Sequence, residues 1–161
     1  MQKLNYTVLE ESGYDGYILK NAPEKVLQFG EGNFLRAFVN YWFDVSNEKA
    51  GWNGKCCLVQ PISQGLTKLI NEQDGLYTLY LRGTENGQKV DRKRVISSVS
   101  RCLNPYEEAD FAAMMEVAAS DDLEYYRNCS VFSVIIEIKH GGHSINTQTV
   151  NMEFIQPEHC A

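Results

Sequence analysis

A short apolar run, Val26, Leu27 and Phe29, stops at Gly30-Glu31-Gly32-Asn33, and apolar residues then recur at helical spacing. Phe34, Leu35, Phe38, Val39, Trp42 and Phe43 fall at i, i+1, i+4, i+5, i+8 and i+9, which predicts a helix with all six on its inner face. A buried strand, a glycine turn and an amphipathic helix form the opening unit of a nucleotide-binding βαβ fold. Glycine is needed there for a steric reason. A pyrophosphate reaches the first free N–H groups of a helix only where no Cβ holds the backbone away. Gly30 is expected to make the tight turn and Gly32 to allow the close approach. Arg36, one turn into the helix, is placed to add a charge-assisted contact to phosphate, although an arginine there is more often an ordinary solvated helix residue.

A full GxGxxG fingerprint puts a third glycine at position 35, where Leu35 stands. On the glycines alone, a dinucleotide loop and a plain strand–turn–helix connection fit equally well. The next segment supplies context. The helix is expected over Asn33 to Lys49, closed by Gly51 and the turn Trp52-Asn53-Gly54. Lys55–Ile62 (KCCLVQPI) then reads as a second buried strand ended by Pro61, the parallel partner a βαβ unit requires. In NAD-binding domains an acidic residue at the end of this strand holds the adenine ribose. Here Gln60-Pro61 occupies that place. Gln60 can donate to a ribose hydroxyl or simply end the strand, and no arginine marks a 2′-phosphate, so the segment leans to NAD.

Residues 1–24 form a polar lead-in with one short strand expected near Tyr6–Leu9. Downstream, Gly65–Glu72 is expected to be a short helix and Gln73-Asp74-Gly75 a turn. Leu76–Arg82 and Arg94–Arg101 are expected to be strands of an added β-hairpin, joined by a longer loop over Gly83–Gln88. Tyr106–Ala119 is expected to be a helix with Phe111, Met114, Met115 and Ala118 inward, a core stripe rather than a cofactor box. A strand should begin at Leu123–Tyr126, and Ser130–Ile138 and Val150–Ile155 are two further strand candidates. The expected class is α/β, a Rossmann-type, partly parallel sheet with an added β-hairpin and an atypical C-terminal tail.

With 161 residues the chain is long enough for one domain with a real core. A net charge of −6 without any basic block argues against a nucleic-acid partner. No apolar leader or membrane-length run stands in the sequence, so a cytoplasmic protein without a membrane partner is expected. Five cysteines without framework spacing read as reduced thiols, and the sequons at Asn5 and Asn128 as chance matches.

The segments VLQFGEGNFLRAFV, CLVQPI, NEQDGLYTLYLRG and RVISSVSRCLNPYEE together resemble the long-chain mannitol dehydrogenase family of polyol and sugar-acid dehydrogenases. Within it they resemble the branch that reduces tagaturonate to altronate in hexuronate catabolism, and relatives acting on mannonate or a polyol remain alternatives. The resemblance covers about Lys25–Tyr125 and implies an NAD-dependent, metal-independent reductase whose N-terminal Rossmann-type domain is present here. It implies an NAD-binding loop made of Leu27, Gln28, Phe29, Gly30, Glu31, Gly32, Asn33, Phe34, Leu35, Arg36, Ala37 and Phe38. A loop reading GxGxFxRA is normal for the family. The family's nicotinamide-bordering segment and its helical C-terminal domain with the catalytic lysine have no counterpart here. The resemblance therefore implies no catalytic residue in this chain, and a nucleotide-binding fragment inactive on its own. It divides the chain into 1–24, a partial NAD-binding domain at 25–126 and a divergent 127–161, the last pointing to a shortened or frameshifted reading frame.

Other chemistry-bearing residues have plainer readings. Ser97, Ser98 and Ser100 lack a histidine base at any recognisable spacing. His140, His143, His159 and Cys160 fit no structural zinc pattern and are expected to be solvated loop residues. Asp44 and Glu48 are expected on the solvated face of the first helix. Asp74 and Tyr77 either line the cofactor cleft or serve as turn and core residues.

Overall fold

The computed structural model describes residues 3–130, 133–138 and 146–148. Strands β1 (Glu24–Phe29), β2 (Lys55–Val59), β5 (Val99–Leu103), β6 (Tyr125–Ser130), β7 (Ser133–Ile138) and β8 (Asn146–Gln148) form one sheet in the order β5-β2-β1-β6-β7-β8. The pairs β5/β2, β2/β1 and β1/β6 are parallel, whereas β6/β7 and β7/β8 are antiparallel. The expected pairing of the first two strands is present, Val26 opposite Cys56 through Phe29 opposite Val59. Strands β3 (Tyr77–Glu85) and β4 (Gln88–Ile96) form the separate antiparallel hairpin. The α/β Rossmann-type class with an added hairpin is therefore the observed one. The change of character expected at residue 127 falls inside β6, and the sheet continues through β7 and β8.

The core has two faces because successive strand residues point to opposite sides. Leu27, Cys57, Val59 and Leu103 pack on Met114 and Val117 of helix α4 (Glu108–Ala119). Val26, Cys56, Leu58, Val99 and Cys102 pack on Ile70 of helix α3 (Thr67–Glu72), with Phe43, Trp52 and Tyr125 against them. Strand β2 is buried along its whole length, as an inner parallel strand covered on both faces should be.

Several local expectations are corrected. Tyr6–Glu11 is helix α1, not a strand, because the Asn5 side chain caps it by accepting from the Val8 N–H at 2.8 Å. The helix also carries Leu9 into a third apolar cluster with Leu76 and Val95. The hairpin closes through a two-residue turn, Asn86-Gly87 (φ 51° and 77°), rather than a longer loop. The strand expected over Arg94–Arg101 is two strands, β4 and β5, broken at the buried Ser97-Ser98 where the chain passes from hairpin to main sheet. In α4 the inward residues are Met114 and Val117, with Ala118 packed alongside, while Phe111 and Met115 are exposed.

The first helix departs most from expectation. After Asn33 and Phe34 it runs as a π-helical segment, Leu35–Asn40, before continuing as α2, Tyr41–Ala50. A π turn takes in an extra residue, so the inward face moves along the sequence. Leu35, Val39, Asn40, Asp44 and Asn47 are buried, while Phe34, Phe38 and Trp42 are 47%, 42% and 54% exposed. The helix ends at Gly51, whose φ of 63° is the left-handed conformation glycine tolerates.

Candidate functional site

The strand order reverses between β1, flanked by β2, and β6, so the chain crosses over at the carboxyl end of β1. In open α/β sheets a ligand crevice forms outside the carboxyl ends of strands at such a switch point. Gly30-Glu31-Gly32-Asn33 occupies that place.

Each residue of the expected loop has a definite position. Gly30 has φ 116°, a conformation open to glycine and costly for other residues, and its N–H donates to the Val59 carbonyl at 2.8 Å. Gln28 is fully buried beneath the turn and donates from Nε2 to the Gly30 carbonyl at 2.9 Å. Asn40 returns a bond from Nδ2 to Gln28 Oε1 at 3.2 Å, tying the turn to the helix that follows it. Gly32 faces open space: a Cβ built there meets no atom within 4 Å. The N–H groups of Gly32 and Asn33 donate no hydrogen bond among the described residues, as expected of the first donors of a helix. The arrangement therefore offers uncrowded main-chain donors at a helix N-terminus, the elementary requirement for an anionic group.

Arg36 folds back on its own loop. Its Nε donates to the Glu31 carbonyl at 3.0 Å and its Nη2 to Asn33 Oδ1 at 2.6 Å, so the guanidinium holds the turn in shape. The group also stacks 5.3 Å from the centre of the Tyr77 ring, and the Tyr77 hydroxyl donates to the Arg36 carbonyl at 2.7 Å. Burial pushes the Tyr77 phenol well above its ordinary range, so it stays a donor. Tyr77 thus joins the hairpin to the loop, a link that sequence spacing gives no sign of.

Leu27 and Leu35 are buried core side chains and Phe29 packs on the core, so these three shape the site from beneath. Ala37 is exposed, and Phe34 and Phe38 stack at 5.7 Å between ring centres on the outer side of the helix. Gln60 is buried at the strand end, where Nε2 donates to the Ile62 carbonyl at 2.7 Å and Oε1 accepts from Thr67 Oγ1 at 2.8 Å. It braces the loop after β2. Asp74 sits in the turn with φ 53° and accepts from the Tyr6 N–H, away from the switch point.

The solvated reading of Asp44 is overturned, because it is completely buried. Its Oδ1 accepts from the Ser97 N–H at 2.8 Å and from Ser97 Oγ at 3.0 Å. Its Oδ2 accepts from Arg94, whose Nη1 also reaches Glu48 at 2.7 Å. This network locks the helix to the hairpin. Ser97 and Ser98 are structural donors within it and beside it, Ser98 donating to the Asn40 carbonyl at 2.7 Å.

A cleft of about 540 Å³ opens at the opposite edge of the sheet, at the amino ends of β1, β2 and β5. Glu24 there accepts from Arg101 Nε and Nη2 at 2.9 Å each and from Ser100 Oγ, so its charges are internally paired. Lys55, with its ammonium pKa lowered by burial, donates to the Tyr6 hydroxyl at 2.9 Å. The cleft lies across the sheet from the glycine turn and takes no part in it. Among the described residues no group of three His, Cys, Asp or Glu is placed to hold a metal ion. His140, His143, His159, Cys160 and the strand candidate Val150–Ile155 lie outside the described residues. No described helix is long and apolar enough to cross a membrane.

Residues 24–137 match the Mannitol dehydrogenase Rossmann domain. The altronate oxidoreductase of Bacillus subtilis is 43% identical over 125 residues, covering 78% of this chain and 24% of that protein. The altronate oxidoreductase of Halalkalibacterium halodurans is 41% identical over 124 residues, 76% of this chain and 24% of that protein. Among solved structures, Pseudomonas fluorescens mannitol 2-dehydrogenase in ternary complex with NAD and D-mannitol superposes with a TM-score of 0.63 at 24% identity. That match covers 80% of this chain and 26% of the other, and shows a shared fold. The chain thus spans about a quarter of the length of the curated relatives it matches. With the family match covering most of its length, and the parallel sheet and glycine turn in place, this chain belongs to the mannitol dehydrogenase family, whose Rossmann domain it carries.

Proposed function

We propose that this chain is the nucleotide-binding part of an NAD-dependent oxidoreductase that reduces tagaturonate to altronate in the cytoplasm. The observation that carries the reading is the bare main chain at Gly32, where the N–H groups of Gly32 and Asn33 donate no hydrogen bond among the described residues and the turn is held from beneath by Gln28 and from the side by Arg36. A diphosphate fits such a cradle because main-chain donors and the helix N-terminus favour negative charge there. The loop Leu27–Phe38 then serves as the cofactor-binding segment, with Leu27, Phe29 and Leu35 as its apolar floor. The dinucleotide, when bound, supplies the hydride; the chain's own residues bind and orient it. The substrate assignment is supported by the altronate oxidoreductases among the relatives. In this reading the 161-residue chain binds NADH but turns over no tagaturonate unaided, because the family resemblance implies no catalytic residue within residues 25–126.

The test is a titration of the purified chain with NADH followed by fluorescence, then an assay of NADH oxidation with tagaturonate. Saturable binding without turnover is the expected pair of results. Absence of binding would refute the nucleotide reading, and steady turnover would refute the assignment of catalysis elsewhere.

A further inference from the structure

We propose that the carboxylate of Glu31 grips the adenosine ribose of the dinucleotide and selects NAD over its 2′-phosphorylated form; this rests on the nucleotide reading above. Glu31 lies between the two glycines and is only 7% exposed. Its main-chain carbonyl is held by Arg36, but its carboxylate accepts no hydrogen bond and makes no ion pair among the described residues. A buried carboxylate without a donor is unfavourable, and native structures rarely leave one without a reason.

Its direction supplies the reason. A Cβ built at Gly65 would stand 2.3 Å from Glu31 Oε1 and 2.5 Å from Gln60 Oε1. The carboxylate therefore points across bare backbone toward the carboxyl end of β2, where the ribose of a bound dinucleotide lies. Strand β2 ends in Gln60-Pro61 rather than in an acid. Gln60 is not a substitute: its Nε2 is bonded to the Ile62 carbonyl, and its Oε1 already accepts from the Thr67 N–H and hydroxyl. The acid missing from the strand end is thus provided by the neighbouring glycine turn. A ribose brings two hydroxyl donors, a carboxylate brings only acceptors, and the bond between them is charge-assisted. A 2′-phosphate would instead set negative charge against Glu31.

The experiment compares NADH and NADPH binding by fluorescence titration in the unaltered chain and in Glu31→Gln, which keeps the shape and removes the charge. The unaltered chain should bind NADH more tightly than NADPH. Glu31→Gln should bind NADH about tenfold more weakly, as expected for losing a hydrogen bond to a charged group, and should lose most of the discrimination. As a measurement independent of the variant, 2′-deoxy-NADH should bind the unaltered chain about tenfold more weakly than NADH. If NADH binds but Glu31→Gln keeps both affinity and discrimination, or 2′-deoxy-NADH binds as well as NADH, the Glu31 assignment is wrong and the loop reading stands. If the unaltered chain binds neither NADH nor NADPH, both fall together.

Discussion

Arg94 and Asp44, fifty residues apart in sequence, meet with Nε at 2.8 Å and Nη2 at 2.5 Å from the same carboxylate oxygen. The other oxygen of Asp44 holds the Ser97 backbone at the break between β4 and β5. One buried carboxylate thus fixes the helix behind the glycine turn, the hairpin and the entry to the main sheet. Removing it leaves the Arg94 guanidinium with Glu48 as its remaining carboxylate and the buried Ser97 N–H without its acceptor. Asp44→Ala should cost about 3–5 kcal/mol in urea unfolding. Arg94→Met should also destabilise, and the double variant should lose clearly less than the two single losses combined.

Burial holds the Cys57 thiol up at about 12 and the Cys102 thiol at about 11, against an ordinary value of 9.0. Desolvation likewise raises the Tyr6 phenol to about 12 from 10.0. All three fold as the protonated form, so their contribution is complete below the ordinary values and is lost as pH climbs through the raised ones. The melting temperature should therefore hold level up to pH 9 and decline toward pH 11–12. In Cys102→Ala the alkaline decline should be shallower, even though its stability at neutral pH is lower. An equally steep decline in that variant would contradict the assignment.

The Tyr77 hydroxyl donates to the Arg36 carbonyl at 2.7 Å from a largely buried ring. Tyr77→Phe leaves the packing and deletes that donor, so the cost should be about 0.5–1.5 kcal/mol by denaturant unfolding. NADH affinity should fall with it, because the carbonyl belongs to the residue that clamps the loop.

At Gly30 the backbone φ of 116° excludes a side chain without strain. Gly30→Ala should lower stability by about 1–3 kcal/mol whether or not nucleotide is present, measured as a shift of the urea midpoint.

The short run Val26–Phe29, the glycine pair and the second apolar strand were legible because parallel strands buried on both faces leave mostly apolar runs. The hairpin was legible from β-forming residues around Tyr77–Leu81, though not its turn, since Asn86-Gly87 was absorbed into a longer polar stretch. What could not be read was the face of the first helix. Its apolar spacing assumes 3.6 residues per turn, whereas the π segment Leu35–Asn40 moves Asn40, Asp44 and Asn47 inward and leaves Phe38 and Trp42 out. Asp44 looked solvated because its partner Arg94 lies on a strand half the domain away. Tyr6–Leu9 looked like a strand because β-forming residues outweighed a single capping asparagine in so short a window. The strand, glycine turn and helix were legible in the sequence, but the roles of Gln28, Arg36 and Tyr77 in shaping the turn come from contacts that no local pattern encodes.

Gly32→Val is the most direct test of the account. A Cβ built at this position meets no atom within 4 Å, so the variant should fold with a melting temperature close to the original. The same side chain would fill the place of the diphosphate, and NADH binding by fluorescence titration should be abolished. A folded Gly32→Val that binds NADH as tightly as the unaltered chain would contradict the central claim.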